Sequence, residues 1–323
     1  MEQWRGYTTL HRATQPNQFH QFMSSVPPVH CSEFLALKDK RGWSTLHRVA
    51  WRDNVEVAHC VLHAAANQDE RDCLLECRDR DGKTPLFWLQ SKAMVHLFLD
   101  TISEHRRQQY IMQRDFFYNE NAIHWAALHG QHEIVKAIFE HCHQSTLKEL
   151  LHTREDLWGY RLLLSACQGG DERTVMDLID LFADHGLLDS ALEDFSNRGD
   201  TVLHYLVIHQ LIDALVEILR GKPTERIRQL LLMKNDRGDT PKDLAMIPLR
   251  EYHHKQVDFY IKFSDLPTSL SNKMIRLLHV LSNEFSFDSP GVLIQCEMNS
   301  ALKMKSVLWQ RVTASGFSTL QVT

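Results

Sequence analysis

Apolar residues return along the chain at helical spacing, in short segments separated by turns. The segments 55–62 and 134–139 both place apolar side chains three and four residues apart, so each has one apolar face. Two such short helices bury little surface alone, whereas stacked copies share one continuous core. The pattern therefore predicts an all-α chain in which several short helices stack on one another.

A repeated motif precedes these apolar segments. It reads Gly-x-Thr-Pro-Leu-His-x-Ala in its full form, and its copies begin at Gly6, Gly42, Gly82, Asn119, Gly159, Gly199 and Gly238. The steps between copies are 36, 40, 37, 40, 40 and 39 residues, which is too regular for chance. Glycine allows a tight turn, Thr or Ser caps a helix, and Pro fits the first helical position. Each copy predicts a turn and an inner helix, and the apolar segment that follows predicts an outer helix.

The motif and its paired helices resemble the ankyrin repeat over residues 3–263. The resemblance implies an all-α ankyrin-repeat solenoid of about seven helix-turn-helix repeats with lengthened outer segments, plus a short helical C-terminal segment. It also implies that the motif histidines tie neighbouring backbone together, and these are His11, His47, His124 and His204. We assign 1–264 to the repeat array and 265–323 to a helical cap or the start of a further domain.

The repeats are longer than the usual ankyrin period of about 33 residues, and the excess follows the outer helix. An apolar residue lies seven places before the next motif, or eight at one joint, and these residues are Leu35, Leu75, Met112, Leu151, Leu192 and Leu231. A fixed apolar place indicates a packed extra turn. We predict lengthened helices or helical connectors at 72–76, 147–151 and 227–232, with loose loop as the alternative that the returning leucine argues against.

Composition and charge restrict the class of protein. At 43% apolar and 24% charged residues with a net charge of −5, the chain has no broad basic surface for nucleic acid. No apolar run approaches the roughly 20 residues that cross a bilayer, and residues 1–5 lack the layout of a signal peptide. Seven cysteines, an odd number without a Cys-x-x-Cys pair, indicate a reducing, cytoplasmic compartment and no disulfide.

Several metal-binding residue types cluster along the sequence, at His129, His132, His141, Cys142, His143, His253 and His254. The predicted outer helix places His132 in its first turn and 141–143 at its C-terminal end, where imidazolium is favoured. Consecutive helical residues point in different directions, which counts against His253 and His254 sharing an ion. We therefore expect solvated histidines, no metal and no cofactor.

Catalytic signatures are absent from the sequence. It holds no Gly-x-x-x-x-Gly-Lys, no Gly-x-Ser-x-Gly and no His-Glu-x-x-His. A cysteine paired with a distant histidine stays an alternative, but Cys60 and Cys167 occupy places typical of a buried core. We predict that the chain is not an enzyme.

In ankyrin repeats the partner-facing residues flank the turn glycine or lie near the end of the inner helix, and they line a concave groove. The resemblance places in this groove Trp4, Tyr7, Arg41, Trp43, Trp51, Arg52, Asp81, Lys83, Phe117, Tyr118, His129, Trp158, Tyr160, Arg198, Asp200 and His209. Because Trp, Tyr and Arg dominate interface hot spots, we expect partner binding by Tyr7, Arg41, Trp43, Trp51, Arg52, Phe117, Tyr118, Trp158 and Tyr160. We expect Trp43, Trp158 and Tyr160 to project from the turns, and Trp125 to lie in the core.

The predicted function is a monomeric, non-enzymatic module that binds a protein, with no nucleic acid and no membrane span. Long repeats rich in His, Gln and Leu are similar to the ankyrin effectors that bacteria such as Legionella and Coxiella deliver into host cytosol, which implies a host protein as partner. The alternative is an adaptor or enzyme whose active module is C-terminal. Leu266-Pro267 faintly resembles the start of an F-box, but Thr268 and Ser269 stand where an acidic residue is usual.

Overall fold

The computed structural model of the chain describes residues 9–27, 30–153, 159–220, 222–241 and 243–244. The chain divides into two compact units, Met1–Ala191 and Leu192–Thr323. Within the described ranges the secondary structure is helical, apart from two isolated β-bridges, Arg114 with Asn121 and Phe195 with Thr201. The predicted all-α class is therefore confirmed.

The helices follow the predicted order of inner helix, outer helix and additional segment. In the first unit they are α1 (Thr9–Arg12), α2 (Pro16–Ser24), α3 (Cys31–Leu35), α4 (Thr45–Trp51), α5 (Val55–His63), α6 (Gln68–Leu75), a 3₁₀ helix (Pro85–Trp88), α7 (Lys92–Thr101), α8 (Glu104–Ile111), α9 (Ala122–Leu128), α10 (His132–Glu140), α11 (Gln144–His152), α12 (Leu162–Gly169) and α13 (Glu172–Asp184). Next along the chain come α14 (Leu188–Glu193), α15 (Val202–Ile208), α16 (Ile212–Leu219) and α17 (Thr224–Leu231).

In the first six repeats the extra length forms a third short helix. The predicted segments 72–76, 147–151 and 227–232 fall in or at the ends of α6, α11 and α17, which are complete helices rather than single added turns. Five of the six apolar residues counted before the motifs are at most 1% exposed, namely Leu35, Leu75, Leu151, Leu192 and Leu231. At the remaining joint Met112 caps α8 and Ile111 takes the buried place. The loose-loop alternative is therefore wrong.

The motif glycines close the turns as predicted. Gly42, Gly82, Gly159, Gly199 and Gly238 have φ values between 70° and 82°, where a side chain is disfavoured. Asn119 stands in the same place with a φ of 52°. Asparagine is one of the few other residues that tolerate this conformation, so the fourth motif forms the same turn without the glycine.

The motif histidines join neighbouring repeats. The ring Nε2 of each lies 2.9 to 3.2 Å from a backbone oxygen further along the chain, His11 from Trp43, His47 from Lys83, His124 from Thr153 and His204 from Asp239. Nδ1 of His47 accepts the N–H of Ser44 at 3.1 Å, so Nε2 carries the proton and donates to Lys83. Burial lowers the pKa of His47 to about 4. Their structural role is confirmed.

Several predictions concern parts of the chain that the structure does not describe. They include the positions of Tyr7 and Trp158, the boundary between 264 and 265, and the Leu266-Pro267 segment. Among the described helices, none is long and apolar enough to cross a membrane.

Candidate functional site

In the five repeats whose turns are described in full, the turn before the inner helix is built around one polar side chain. Oδ1 of Asp39 accepts the N–H groups of Arg41 at 2.8 Å and Trp43 at 3.0 Å, and Oδ1 of Asp79 accepts those of Asp81 and Lys83, both at 2.9 Å. Ser196 and Asn235 make the same pair of bonds in the second unit. The signal is visible in the sequence as Asp, Ser or Asn three residues before the motif glycine, although the motif analysis did not use it.

Neighbouring turns are also bonded to one another. In the first unit the N–H of Arg80 donates to the carbonyl of Arg41 at 3.2 Å, and that of Phe116 donates to Asp81 at 2.9 Å. In the second unit Asp236 donates to Arg198 at 3.0 Å. These bonds hold successive turns at a fixed distance, so the residues that follow the turns come close together.

Four tryptophans from three successive repeats form a cluster beside these turns, which we call the tryptophan row: Trp43, Trp51, Trp88 and Trp125. The ring centroids of Trp43 and Trp88 are 4.7 Å apart, and those of Trp88 and Trp125 are 5.7 Å apart. Trp51 lies 6.3 Å from Trp43, at an angle typical of edge-to-face packing. Trp51 is 51% exposed whereas Trp43 is 5% exposed, so the row runs from the interior to the surface.

The side chain of Lys83 is buried against this row. Its Nζ lies 3.3 Å from the ring centroid of Trp125, 3.5 Å from Oε1 of Glu120 and 3.9 Å from Oδ2 of Asp115. Burial lowers the pKa of Lys83, although the charges of Glu120 and Asp115 act in the opposite direction. The ammonium group of Lys83 therefore occupies the space beside these rings.

The two most exposed aromatic residues of the described chain, Phe116 and Phe117, lie on the fourth turn beside Tyr118. Phe116, Phe117 and Tyr118 are 65%, 66% and 40% exposed. This turn is one residue longer than its neighbours, because Asp115 lies four residues before Asn119. Sequence reasoning named the second and third of these residues and missed Phe116, which takes the exposed place that Lys40 and Arg80 hold in the two preceding turns.

The predicted partner-binding residues divide by exposure. Arg41 is exposed, and its guanidinium carbon lies 6.0 Å from the ring centroid of Trp43. Arg52 is half-buried and donates to the carbonyl of His11 at 2.9 Å, so it also joins two repeats. In the second unit Arg198 is exposed, Asp200 is buried and His209 is half-buried.

Trp43 and Tyr160 do not project from their turns, and this expectation is wrong. They are 5% and 8% exposed. Trp43 is covered by the ring of Trp88 and by the guanidinium carbon of Arg48, which lies 4.6 Å from its centroid. Trp125, expected in the core, is half-buried, with its ring 4.1 Å from that of His129. Whether any of these residues contacts a partner stays a prediction.

The buried nucleophiles are not activated. Burial raises the pKa of Cys142 to about 12 and raises that of Cys167 as well. Sγ of Cys60 lies 3.5 Å from Nε2 of His20, the one cysteine–histidine contact recorded for the described residues, but burial raises the pKa of this thiol too. A catalytic cysteine needs a lowered pKa, so these thiols have the wrong electrostatic environment.

Comparisons with known proteins identify the fold. No protein-family model matches the chain, and no curated protein matches its sequence. Among solved structures, the ankyrin repeat domain of Bcl-3, described as a unique member of the IkappaB protein family, aligns with a TM-score of 0.51 at 18% identity, covering 74% of this chain and 94% of that chain. The human ASB11 ankyrin repeat domain aligns with a TM-score of 0.49 at 18% identity, covering 74% and 91%. With the helix order and the motif turns, the Bcl-3 alignment shows that this chain has the ankyrin-repeat fold.

Proposed function

We propose that the protein is a non-enzymatic interaction module and that its partner protein binds to the turns and tryptophan row of the first unit. The observation that carries the proposal is the exposure of large aromatic side chains at one stretch of that unit. Trp51, Phe116, Phe117 and Tyr118 are all at least 40% exposed. Aromatic residues supply large contact areas, and they are enriched among interface hot spots.

The exposed aromatics sit on a rigid base, which favours recognition over a loose hydrophobic surface. Asp115 fixes the fourth turn by accepting the N–H of Tyr118 at 2.9 Å. The guanidinium carbon of Arg78 lies 5.4 Å from the ring centroid of Phe116, and Arg78 also donates to the carbonyl of Arg114 at 2.7 Å. A turn backbone that is fixed before binding loses less entropy when a partner arrives.

The proposal extends to a bacterial effector that acts as a monomer on a host protein in the cytosol. Its support is that the long repeats, rich in His, Gln and Leu, resemble those of bacterial ankyrin effectors. Under this proposal the partner is present in a eukaryotic lysate and absent from a bacterial one.

The test is affinity capture with quantitative mass spectrometry from both kinds of lysate, using the full chain as bait. The informative baits are Trp51→Ala and the double variant Phe116→Ser, Phe117→Ser. Leu232→Ser is the matched control, because Leu232 is 56% exposed and lies outside the proposed surface, in the second unit. We expect the first two variants to lose the captured protein by at least about tenfold, as expected for hot-spot residues, and the control to retain it.

Thermal melts of all baits accompany the capture. Normal capture by both aromatic variants would refute the proposed surface. Capture from bacterial lysate alone would refute the effector role and leave the interaction surface standing.

A further inference from the structure

Two neighbouring outer helices of the first unit bring together three side chains of metal-binding types. His96 and Asp100 lie four residues apart on α7 and so share one helix face. His141 caps the C-terminal end of α10, which packs against α7. One ligand atom from each residue lies within 4.8 Å of the other two, and this is the one such group among the described residues.

The orientation of His141 calls for a cation between it and Asp100. Nδ1 of His141 lies 2.9 Å from the carbonyl oxygen of Ala137, so Nδ1 carries a hydrogen and donates it. In the neutral ring Nε2 is then an acceptor, and it lies 3.1 Å from Oδ1 of Asp100, which is also an acceptor. Two acceptors this close repel each other unless a proton or a metal ion lies between them. The backbone bond also fixes the ring in the way typical of metal-binding histidines.

The surrounding charges favour a cation. Oε2 of Glu140 lies 3.6 Å from Nε2 of His96, and its other oxygen accepts from Lys92 at 2.7 Å. With neutral imidazoles, Asp100, Glu140 and Lys92 give the group a net charge of about −1. Because Lys92 engages Glu140, we count three protein ligands.

We propose that His96, Asp100 and His141 form a zinc site that joins α7 to the end of α10. Two imidazoles and one carboxylate form a ligand set typical of zinc sites with three protein ligands, in which water takes the fourth position. At zinc–ligand distances near 2.0 Å, tetrahedral ligand atoms stand about 3.3 Å apart. His141 and Asp100 already meet this spacing. Rotation of side chains shortens the distances from the ligand atom of His96 to the other two, because the side chains of His96 and Asp100 are 35% and 65% exposed.

Residues close in sequence did not reveal this site. The clusters weighed in the sequence lie within 129–143 and at 253–254, whereas His96 and His141 are 45 positions apart in the chain. The stacking of one repeat on the next brings them together, with ring centroids 5.0 Å apart.

The experiment is calorimetric titration of zinc chloride into metal-free full-length protein near neutral pH. The site variants are His96→Ala, Asp100→Asn and His141→Ala. Two controls test the other histidines. His105→Ala removes an exposed histidine on α8, and the double variant His59→Ala, His63→Ala removes a rival pair whose Nε2 atoms are 3.1 Å apart on α5. Thermal melts of the metal-free variants report folding.

We expect one zinc ion per chain in the wild type and in both controls, with affinity at least about tenfold weaker in each site variant. If His141→Ala fails to fold, the other two site variants decide the matter, because their side chains are more exposed. Equal binding by all proteins, or a loss confined to the His59 and His63 variant, would place zinc elsewhere and overturn the proposal. Absence of a saturable site in the wild type would also overturn it and leave a proton between His141 and Asp100.

Discussion

The second and third repeats of the first unit share a turn and a motif but differ in the residue that covers the turn carboxylate. In the second repeat Arg48 donates to Asp39 from its Nε at 3.0 Å and from its Nη2. The same place in the third repeat, six residues after the motif glycine, holds Trp88. The side-chain hydrogen-bond partner of Asp79 is the neutral side chain of Trp88 and not a guanidinium. An aromatic surface has thus replaced an ion pair.

This exchange moves the pKa values of the two carboxylates in opposite directions. Burial by itself raises the pKa of Asp39, but the hydrogen bonds from Arg48 and from backbone N–H groups outweigh it, and the pKa ends below the usual value. For Asp79 burial is the largest effect, and its hydrogen bonds from two backbone N–H groups and from the side chain of Trp88 do not offset it, so the pKa is raised. Equivalent carboxylates in two repeats of the same fold can therefore have pKa values shifted in opposite directions.

The inner helices of the two repeats differ as well. The second repeat forms the α-helix α4 with His47 bonded at both ring nitrogens, whereas the third forms a short 3₁₀ helix with Phe87 in place of the histidine. The third repeat also buries the cation of Lys83 beside the tryptophan row. The second repeat therefore keeps the framework residues of the motif, whereas the third has aromatic contacts in their place.

The largest expected effect is at the joint between the two repeats. Trp43→Ala removes a 5% exposed ring that packs on Trp88, so we expect a loss of about 3 to 5 kcal/mol in the free energy of unfolding. Trp51→Ala is the control, because its ring is 51% exposed and its loss is expected to stay below about 1 kcal/mol. Urea unfolding measures both. Similar small losses would show that Trp43 is a surface residue, as the sequence analysis expected.

Next in size is the removal of the buried cation. Lys83→Met leaves Asp115 and Glu120 facing each other without it, and we expect a loss of about 3 kcal/mol at neutral pH. Arg48→Met in the second repeat leaves one buried carboxylate, Asp39, and is expected to cost less. Urea unfolding of both variants tests this, and a larger loss for Arg48→Met would reverse the ranking of the two repeats.

The third effect depends on pH and belongs to the framework histidines. In the folded protein burial lowers the pKa of both His47 and His124 to about 4, from 6.5. Above pH 6.5 both rings are neutral in the folded and unfolded states, so stability is complete. As the pH falls, the unfolded chain takes up protons first, and stability is lost until the pH passes about 4. We expect each histidine to contribute a loss of about 2 to 3 kcal/mol over this range.

His47→Gln separates this effect from general acid denaturation. The amide group cannot be protonated in this range, so the slope of stability against pH between 6.5 and 4 should decrease. The third repeat, with Phe87 in the same place, supplies no such slope. An unchanged slope in His47→Gln would contradict the assignment.

Local signals in the sequence predicted the repeats, the turns and the third helices, because each depends on residues close in the chain. Glycine at positive φ and leucine at a fixed place before the motif are signals of this kind. The burial of Trp43 could not be predicted in this way, because Trp88, 45 residues later, covers it. The prediction of partner-binding residues was therefore least secure where neighbouring repeats decide exposure.

The smallest expected effects on the free energy of unfolding come from alanine substitutions at the turn glycines Gly42 and Gly82. Both have φ near 80°, so replacement by alanine strains the backbone by about 1 kcal/mol in either repeat. A Cβ on Gly42 would lie 2.7 Å from the backbone nitrogen of Arg80, which is bonded to the carbonyl of Arg41. A Cβ on Gly82 would instead lie 2.6 Å from the ring of Phe116, an exposed side chain that can rotate away. We expect losses of about 2 to 3 kcal/mol for Gly42→Ala and about 1 kcal/mol for Gly82→Ala.

Urea unfolding of both variants measures the difference, and Phe116→Ala in the Gly82→Ala background identifies its source. If the ring moves freely, removing it changes the cost of Gly82→Ala by less than about 0.5 kcal/mol, the usual scatter for independent sites. A larger recovery would mean that Arg78, whose guanidinium carbon lies 5.4 Å from the ring centroid, holds Phe116 in place. The fourth turn, which carries the exposed aromatic residues, would then be as rigid as the second repeat. The second and third repeats would differ in the chemistry of their side chains and not in rigidity.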